Sequence, residues 1–322
     1  MAEELEQFTA RRIEMMLLLE NFSLGQEGAT VATDSQQPDS SNVVANLLDP
    51  SMDTAWESAD LLPLGTDQLL TVRYDLGSPR TINTVAPVGT NLRLPTKIKF
   101  YQNNPSLSPP IYDGPFTDPI MRAKFGDFSW LDLEWWTLGP DDDDLAFWGE
   151  TSQLRSVFQS DVDYTGIRWV DIVMDANDAM TRPYQGDSVQ IAGCFIAKSY
   201  QPSINMLLGW ALGVDDTSTV HRTESGSARG RNREKLREFS FALDFLGKKG
   251  PHAGRVEAFK TIHTKFANRL GKLGYVFAWP EPKHPFFFYD TSMVCTAETL
   301  PRSVMVNYEW PGAIGWKLKE TV

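Results

Sequence analysis

The chain has 322 residues, of which 42% are hydrophobic and 11% aromatic, with ten tryptophans. That length accommodates two domains with separate cores, and the composition suits folded, β-rich domains better than a disordered chain. The sequence contains no apolar run of about 18 residues, so we expect no membrane-spanning helix. Its acidic, polar start, MAEELEQ, does not have the pattern of a signal peptide.

Charge is distributed unevenly along the chain. Residues 1–206 contain 13 lysines and arginines against 30 aspartates and glutamates, whereas residues 207–322 contain 17 against 12, giving nets of −17 and +5. This asymmetry indicates two modules with different neighbours. The two cysteines, Cys194 and Cys295, belong to no paired motif, and we expect two buried free thiols.

The first 42 residues predict a helix followed by a linker. Over residues 3–22, apolar residues such as Leu5 and Leu17 recur near helical spacing, and acidic residues lead the first turn. The wide apolar face should be covered, either by its own domain or by a partner subunit. Residues 25–42 are rich in Gly, Ser, Gln and Asp, which is typical of a linker.

Residues 43–198 predict a β-rich domain. Leu70, Val72 and Tyr74 alternate with polar residues, which is the period of a half-buried strand. The proline-rich segment 103–165 predicts long loops at one end of the domain, because proline disfavours central strands and helices. The predicted strands are 69–76, 82–89, 96–101, 167–174 and 188–197.

These residues resemble a known family. The pattern is an asparagine and a leucine before a turn, an aspartate and a Trp-x-Ser, and then a strand that ends in Asp-Leu-Gly. It is carried by Asn46, Leu47, Asp53, Trp56, Ser58, Asp75, Leu76 and Gly77. Over about 46–198 the chain is similar to discoidin-type (coagulation factor 5/8 C-type), galactose-binding-like domains. The resemblance implies a mainly β chain with a jelly-roll β-sandwich of a kind that usually binds sugars or surfaces.

The rest of the chain predicts a smaller α+β domain at 207–322, after a hinge at 199–206. Its strands are predicted near 206–214, in LREFSFALDF, in YVFAWPEP and in the closing segment. Residues 254–273 place apolar residues at helical spacing and predict an amphipathic helix. The polar segment 223–234, TESGSARGRNRE, predicts a mobile loop.

The order of elements in this second domain is similar to the C-terminal part of tailed-phage tail-tip proteins, in which a discoidin-like sandwich precedes a small domain of this kind. The residues that carry the resemblance are Trp210, Leu212, Gly213, Arg231, Phe239, Phe241, Leu243, Glu257, Ala258, Phe259, Gly274, Pro280 and Tyr289. It implies a structural virion protein of the tail tip, assembled in the host cytoplasm into a homo-oligomeric ring. Its partners would be tail tube, hub or fibre proteins. The alternative is a carbohydrate-binding receptor-adsorption protein that recognises a host surface glycan.

The sequence lacks the nucleotide-binding, serine-hydrolase and metalloprotease motifs of common enzymes. Its four histidines have no cysteine or aspartate at metal-ligand spacing. We therefore expect neither catalysis nor a catalytic cofactor. A glycan hydrolase would need two carboxylates across a cleft, which sequence alone leaves open.

An aromatic cluster surrounds an acidic run and forms a candidate sugar site. Aromatic faces stack on sugar rings, and carboxylates accept hydrogen bonds from sugar hydroxyls. The alternative is that the rings fill the sandwich end or a subunit interface, and that the acidic run is solvated. The candidate residues are Trp130, Trp135, Trp136, Trp148, Asp142 and Asp144.

A structural calcium ion is implied only by the family resemblance. Some discoidin-like modules hold calcium in the turn before the conserved tryptophan, and Asp49, Asp53 and Thr54 occupy that turn here. The EF-hand pattern is absent.

The densest basic stretch is a candidate subunit interface. It consists of Arg222, Arg229, Arg231, Arg233, Lys235 and Arg237. We do not expect nucleic acid as its partner, because Glu224 and Glu234 interrupt it and no aromatic platform accompanies it. An acidic neighbouring subunit is the favoured partner, and a solvated loop is the alternative.

The domain division predicts where a protease cuts first. In limited proteolysis followed by mass spectrometry, we expect the earliest cuts within 199–206 or 223–233, because exposed connections are cleaved before packed cores. First cuts within 82–100 or 256–270 would contradict the division.

Overall fold

The chain is mainly β and forms two compact units, as seen in a computed structural model. The sandwich unit comprises Glu20–Tyr200 and His284–Ser292, and the second unit comprises Met1–Leu19, Gln201–Lys283 and Met293–Val322. The boundary between Tyr200 and Gln201 lies within the predicted hinge. The residues that the structure describes are 15–34, 41–49, 54–59, 69–91, 97–116, 155–175, 188–202, 211–216, 219–222, 228–231, 235–243, 264, 267–268, 271–280, 291–302 and 314–321.

Strands are numbered in chain order. They are β1 (Met16–Leu18), β2 (Thr30–Thr33), β3 (Trp56–Glu57), β4 (Leu69–Thr90), β5 (Lys97–Tyr101), β6 (Tyr112–Pro115), β7 (Phe158–Asp175), β8 (Gln190–Ala197), β9 (Ala211–Asp216), β10 (Thr219–Arg222), β11 (Ala228–Arg231), β12 (Lys235–Leu243), β13 (Val276–Trp279), β14 (Met293–Arg302) and β15 (Ile314–Glu320). Two short 3-10 helices span Gly25–Glu27 and Val44–Leu48.

The sandwich unit is built on two long strands, β4 and β7, that take part in both of its halves. The first part of β4 pairs with β2 and with the end of β7, and β5 and β6 extend this half beyond β7. The last part of β4 pairs with β8 and with the start of β7, and β3 pairs with β8. All of these pairings are antiparallel. Because β4 and β7 belong to both halves, one continuous set of strand hydrogen bonds joins the two halves.

The two halves pack face to face. Tyr74 of the first half interacts with Cys194 of the second, and burial, the main cause, raises the pKa of Tyr74 well above its ordinary value. One hydrophobic cluster contains Leu70 and Val72 from the first half together with Ile191 from the second. The predicted alternation of β4 is therefore confirmed, and so is the β-sandwich.

A corner in β4 separates the two halves. The ladder with β7 shifts register between Asp75 and Arg80, and the Asp75 carboxylate accepts a hydrogen bond from the Gly77 amide at 2.9 Å. Gly77 has a left-handed φ of +71°, and a Cβ there would lie 2.4 Å from the Gly28 carbonyl oxygen. Only glycine satisfies both conditions, which explains the Asp-Leu-Gly of the sequence pattern.

The other residues of the pattern also have structural roles. Leu47 and Trp56 are buried in the core, with exposures of 1% and 0%. The Asn46 side-chain amide donates hydrogen bonds to the carbonyls of Ser41 and Ala55, each at 2.9 Å, and so fixes the residue that precedes Trp56.

The second unit contains a six-stranded antiparallel sheet in the order β1–β13–β14–β15–β12–β9. On β12, buried Phe239 and Phe241 alternate with half-buried Glu238 and Ser240, as the sequence predicted. Trp316 of β15 lies beside Phe241, with ring centroids 5.1 Å apart. The strands β10 and β11 pair with each other in a separate two-stranded ribbon.

The predicted N-terminal helix is wrong over its described part. Met16–Leu18 form β1, which pairs with β13, and the apolar run 15–19 is almost fully buried. Periodicity alone cannot distinguish a buried strand from a buried helix over so short a run. The predicted linker at 25–42 likewise contains β2.

Three further boundaries differ from the sequence predictions. The strands predicted at 69–76 and 82–89 are one strand, because Gly77 turns the chain without ending its hydrogen bonding. The proline-rich segment contains β6, whose Pro115 is tolerated because β6 is an edge strand. The predicted loop 223–234 contains β11.

Several predictions lie largely or wholly outside the described residues. The helix predicted at 254–273 is described only at 264, 267–268 and 271–273, so the α part of the second domain stays a prediction.

Both cysteines are buried free thiols, as predicted. Within the described part of the chain, no helix is long and apolar enough to cross a membrane.

Replacing Gly77 by alanine tests the corner. We expect Gly77→Ala to lower the free energy of unfolding by more than about 2 kcal/mol, because the left-handed backbone costs about 1–2 kcal/mol and the new methyl group meets the Gly28 carbonyl. Chemical denaturation measures the loss.

Gly28→Ala is the matched control for that substitution. Gly28 also has a left-handed φ, +83°, but a Cβ there would meet nothing within 4 Å among the residues that the structure describes. Gly28→Ala should lower the free energy of unfolding only by the cost of the left-handed backbone, about 1–2 kcal/mol. Equal losses in the two variants would show that the close approach to Gly28 does not constrain the corner.

Candidate functional site: the loop end of the sandwich unit

Five strand ends of the first half lie at one edge of the sheet. The register pairs Leu69 with Asp175, Lys97 with Val173 and Lys97 with Pro115. The chain therefore enters β4 and β5, and leaves β6 and β7, at this edge. It also leaves β2 here, because Thr33 pairs with Val72 and the Asp34 carboxylate accepts the Thr71 amide.

The second half presents its own strand ends at the same end of the sandwich. There the chain leaves β4 at Thr90 and enters β8 at Gln190. Only five residues separate Asn91 from Lys97, so these two strand ends lie within about 20 Å of each other. We call this end, opposite the corner, the loop end. The connections between 34 and 41, 59 and 69, 91 and 97, 116 and 155, and 175 and 188 all have their ends here.

We call the residues at which a connection begins and ends its roots. Reciprocal hydrogen bonds clamp the roots of three of these connections. The Ser58 amide donates to the Val189 carbonyl and the Ser58 hydroxyl accepts from the Val189 amide, both at 2.9 Å. The Asn91 side chain donates to the Ser188 carbonyl and accepts from the Gln190 amide, both at 2.8 Å. Ser58, Asn91 and Ser188 are all buried, where a satisfied polar network fixes one arrangement.

Glu57 extends this clamp to a fourth connection. Its carboxylate accepts hydrogen bonds from the Ser188 hydroxyl and from the Asn42 side-chain amide, the latter at 2.7 Å. Sequence reasoning missed Asn42, Glu57, Asn91 and Ser188. The available signal was that asparagine and serine, which commonly bond to the backbone, stand where predicted strands meet loops.

The predicted sugar-binding residues lie on the longest of these connections. Trp130, Trp135, Trp136, Trp148, Asp142 and Asp144 all fall between 116 and 155, outside the described residues. Both roots of the connection are buried: Phe116 is 2% exposed, and Arg155 is 4% exposed with its Nε donating to the Ser292 hydroxyl at 2.7 Å. The proposed ring stacking stays a prediction, but the connection that carries these residues begins and ends at the loop end.

The implied calcium site also stays a prediction. Asp49 and Thr54 are exposed, and Asp53 lies outside the described residues. The nearby Asn46 side-chain amide donates to the carbonyls of Ser41 and Ala55. In the described ranges, no group of three His, Cys, Asp or Glu side chains could hold a metal ion.

The outer face of the first half carries charged groups that neutralise each other. Arg73 donates two hydrogen bonds to Asp171, at 2.7 and 2.6 Å, and this pairing raises the pKa of Arg73. Arg168 donates two to Asp75, at 2.9 and 3.0 Å. Burial, together with Asp171, raises the pKa of Tyr101. Both carboxylates are thus neutralised by arginines.

The described residues of the basic stretch are divided among three strands. Arg222 lies on β10, Arg229 and Arg231 lie on β11, and Lys235 begins β12, whereas Arg233 is outside the described residues. Arg237 is 2% exposed and pairs with Glu320 of β15, with its Nε 2.9 Å from the carboxylate. Its predicted role at a subunit interface is therefore wrong, because β12 places it in the interior with a partner of its own.

Comparison with known proteins finds similarity only at the level of solved structures. No family model and no curated protein matches the chain. The CBM32-5 module of a Clostridium perfringens GH89 protein, solved with GalNAc-β-1,3-galactose, is 13% identical, covers 54% of this chain and 98% of its own, and has a TM-score of 0.33. The family 32 carbohydrate-binding module of C. perfringens NanJ, solved with galactose, is 13% identical over 58% of this chain and 99% of its own, with a TM-score of 0.32.

A further similar structure is chitosan-binding module 2 from a Paenibacillus chitosanase/glucanase, solved with chitotriose. It is 15% identical, covers 55% of this chain and 99% of its own, and has a TM-score of 0.32. At these identities and TM-scores, the likeness does not by itself establish a shared ligand. None of these three structures is a tail-tip protein.

The buried pair predicts a large effect of substituting Arg237. We expect Arg237→Ala to lower the free energy of unfolding by about 3–5 kcal/mol, because it leaves the Glu320 carboxylate buried without its cation. Denaturant titration of the full chain measures this. Arg237→Met combined with Glu320→Leu should lower the free energy of unfolding less than Arg237→Ala does, since no buried charge is then left without a partner.

The control for Arg237→Ala is a partly exposed cation of the same sheet. Lys317→Ala removes a partly exposed ion pair with Glu238 and should cost no more than about 1 kcal/mol. A loss from Arg237→Ala as small as that from Lys317→Ala would contradict the assignment of a buried, structural pair.

Proposed function

We propose that this chain is a carbohydrate-binding protein whose sandwich unit binds a glycan at the loop end. One observation carries the proposal. The connection between 116 and 155 contains four tryptophans and four consecutive aspartates, and the strand topology brings both of its roots to the loop end, beside the roots of the other connections. A loop cluster on a rigid sheet is a common arrangement for ligand binding.

The chemistry of that connection suits a sugar. Tryptophan faces stack on the apolar faces of sugar rings, and carboxylates accept hydrogen bonds from their hydroxyl groups. Because Ser58, Asn91 and Ser188 hold the neighbouring roots by buried hydrogen bonds, less conformational freedom is lost when a ligand binds. The family resemblance on Asn46, Trp56 and Gly77 supports the same class of ligand.

The proposed activity is binding and not catalysis. A glycan hydrolase needs two carboxylates about 5–10 Å apart across a cleft. In the described residues of the sandwich unit, the carboxylates of Asp75 and Asp171 are occupied by arginine pairs. This supports a binding module, and a test for glycan turnover complements it.

The tail-tip role remains a finer part of the proposal. In that setting, a glycan-binding sandwich at the distal end of a virion tail would act in receptor adsorption, and the second unit would join neighbouring tail proteins. This part rests only on the order of elements in the second domain, and none of the similar structures named above supports it.

A glycan array probed with the full chain tests the proposal, followed by calorimetry with the sugars that bind. We expect binding in the array and at least a tenfold loss of affinity in Trp135→Ala or Trp148→Ala. Such a loss corresponds to about 1.4 kcal/mol, within the range for truncating an aromatic anchor.

Trp169→Ala is the matched control for these variants. Trp169 is a half-buried tryptophan of the same unit that pairs in register with Asp75, at the corner rather than at the loop end. Its removal should leave sugar affinity unchanged. Absence of binding to any glycan, or equal loss in Trp169→Ala with unchanged melting in all variants, would overturn the proposal. Release of free sugar from a bound glycan would indicate an enzyme instead.

A further inference from the structure

The strand β9 is the outermost strand of the six-stranded sheet, next to β12. Among the described strands it pairs only with β12, so in that part of the chain no strand pairs with its other edge. An edge of this kind accepts further strands, and proteins commonly protect such edges with lysine, proline or a β-bulge. Residues 211–214, ALGV, contain neither lysine nor proline, and their register with β12 is unbroken. The first four residues of β9 therefore form an unprotected edge.

Two apolar side chains of β9 lie on the buried face of this sheet. Leu212 is directly opposite Phe239 of β12, and directly opposite residues share a face. Val214 is directly opposite Arg237 and shares the same face. Phe239 is 0% exposed, whereas Leu212 and Val214 are 37% and 54% exposed. The buried face thus continues past β12 onto an edge where two large apolar side chains are in contact with water.

The other face of β9 leaves room for a neighbouring strand. It carries Ala211, Gly213 and Asp215, which alternate with the two apolar residues. A Cβ at Gly213 would meet nothing within 4 Å among the residues that the structure describes. The Asp215 carboxylate forms an ion pair with Lys319 of β15. A strand that approaches this edge therefore meets small residues and a carboxylate that already has a cation.

The opposite edge of the same sheet limits how two copies can join through it. That edge is β1, whose residues Met16–Leu18 are 0% exposed. Because β1 is covered, β9 of one copy cannot pair with β1 of another to form an open chain of sheets. If two of these sheets join edge to edge, β9 must pair with β9.

Symmetry then selects the antiparallel arrangement. A two-fold axis perpendicular to the sheet makes the two β9 strands antiparallel and keeps the buried faces of both copies on one side. A two-fold axis along the strands would make them parallel and would put the two buried faces on opposite sides. Only the first arrangement brings the exposed apolar side chains of both copies together, which removes their surface from water.

A register centred on Gly213 fits the residues of β9. Leu212 of each copy is then opposite Val214 of the other, and apolar pairs of this kind stabilise a sheet. Asp215 of each copy is opposite Ala211 of the other. A register centred on Asp215 would instead place two carboxylates directly opposite each other, which is destabilising.

We propose that β9 pairs antiparallel with β9 of a second copy of this chain, so that the two six-stranded sheets become one continuous sheet across a two-fold axis. The contact is isologous and closed, so a dimer is its end product. This inference is independent of glycan binding at the loop end and of the tail-tip role.

Sedimentation velocity of the full chain from about 1 to about 500 µM tests the pairing, because mass action makes a dimer depend on concentration. We expect a monomer–dimer equilibrium. Val214→Glu should raise the dissociation constant at least tenfold with an unchanged melting temperature, since Val214 is exposed in the monomer. The matched control is Val162→Glu, which changes a valine of β7 that is 62% exposed and should leave the dissociation constant unchanged.

A mixing experiment tests the register. Leu212→Lys should also weaken association of the chain with itself. When the Leu212→Lys and Val214→Glu chains are mixed, the new lysine and glutamate are directly opposite in the Gly213-centred register, and the other Leu212–Val214 pair is intact. The mixture should therefore associate at least tenfold more tightly than either variant alone.

Cross-linking gives a readout that does not depend on introduced charge. In Gly213→Cys, the two new cysteines are directly opposite each other at the centre of the register, at a separation that a disulfide can span. Oxidation with diamide should give a covalent dimer, whereas Val162→Cys should remain monomeric under the same conditions. Cys194 and Cys295 are buried and do not compete.

Three results would overturn the proposal. The first is a wild-type chain that stays monomeric over the whole concentration range. The second is an equal loss of association in Val162→Glu and Val214→Glu. The third is a mixture of Leu212→Lys and Val214→Glu that associates no more tightly than the separate variants. If Val214→Glu lowers the melting temperature, Val214→Thr replaces it, because threonine keeps the branched shape while removing apolar surface.

Discussion

The corner at Asp75 and Gly77 is the constraint on which the sandwich unit depends. The Asp75 carboxylate accepts the Gly77 amide and is held by Arg168, while Gly77 lies against the Gly28 carbonyl in a conformation that other residues rarely adopt. Because β4 turns here without ending, one strand serves both halves of the sandwich. The turn also directs both ends of β4 to the opposite end of the unit, where the connections gather.

The two ends of the sandwich are therefore built differently. The corner end is closed by continuous backbone, with the Arg168–Asp75 ion pair beside it. At the loop end, the roots are held by buried hydrogen bonds of Ser58, Asn91 and Ser188, and the connections between the roots are free to vary in length and composition. The connections can therefore change in sequence without altering the core.

Charge has two separate roles in the second unit. On one face of its sheet, Arg237 and Glu320 form a buried pair whose cost of desolvation is offset by several hydrogen bonds between them. On the other face, Lys317 lies between Glu238 and Glu298 in contacts that water partly screens. Neighbouring basic residues in the sequence thus differ in what they do, because strand alternation sends Arg237 inward and leaves the residues of the ribbon outside this sheet.

The sequence by itself determined the alternation of β4 and β12 and the pattern that contains Trp56 and Gly77, because alternation and turn chemistry depend on residues close together in the chain. It also determined the charge asymmetry between the two units. Only the tertiary structure decided that the apolar run at 15–19 is a strand, since its conformation depends on pairing with β13, more than 250 residues away. The same holds for the clamp between Ser58, Asn91 and Ser188 and for the burial of Arg237 against Glu320. Such contacts between distant residues are set by how the strands are ordered in the sheets, and local periodicity carries no record of that order.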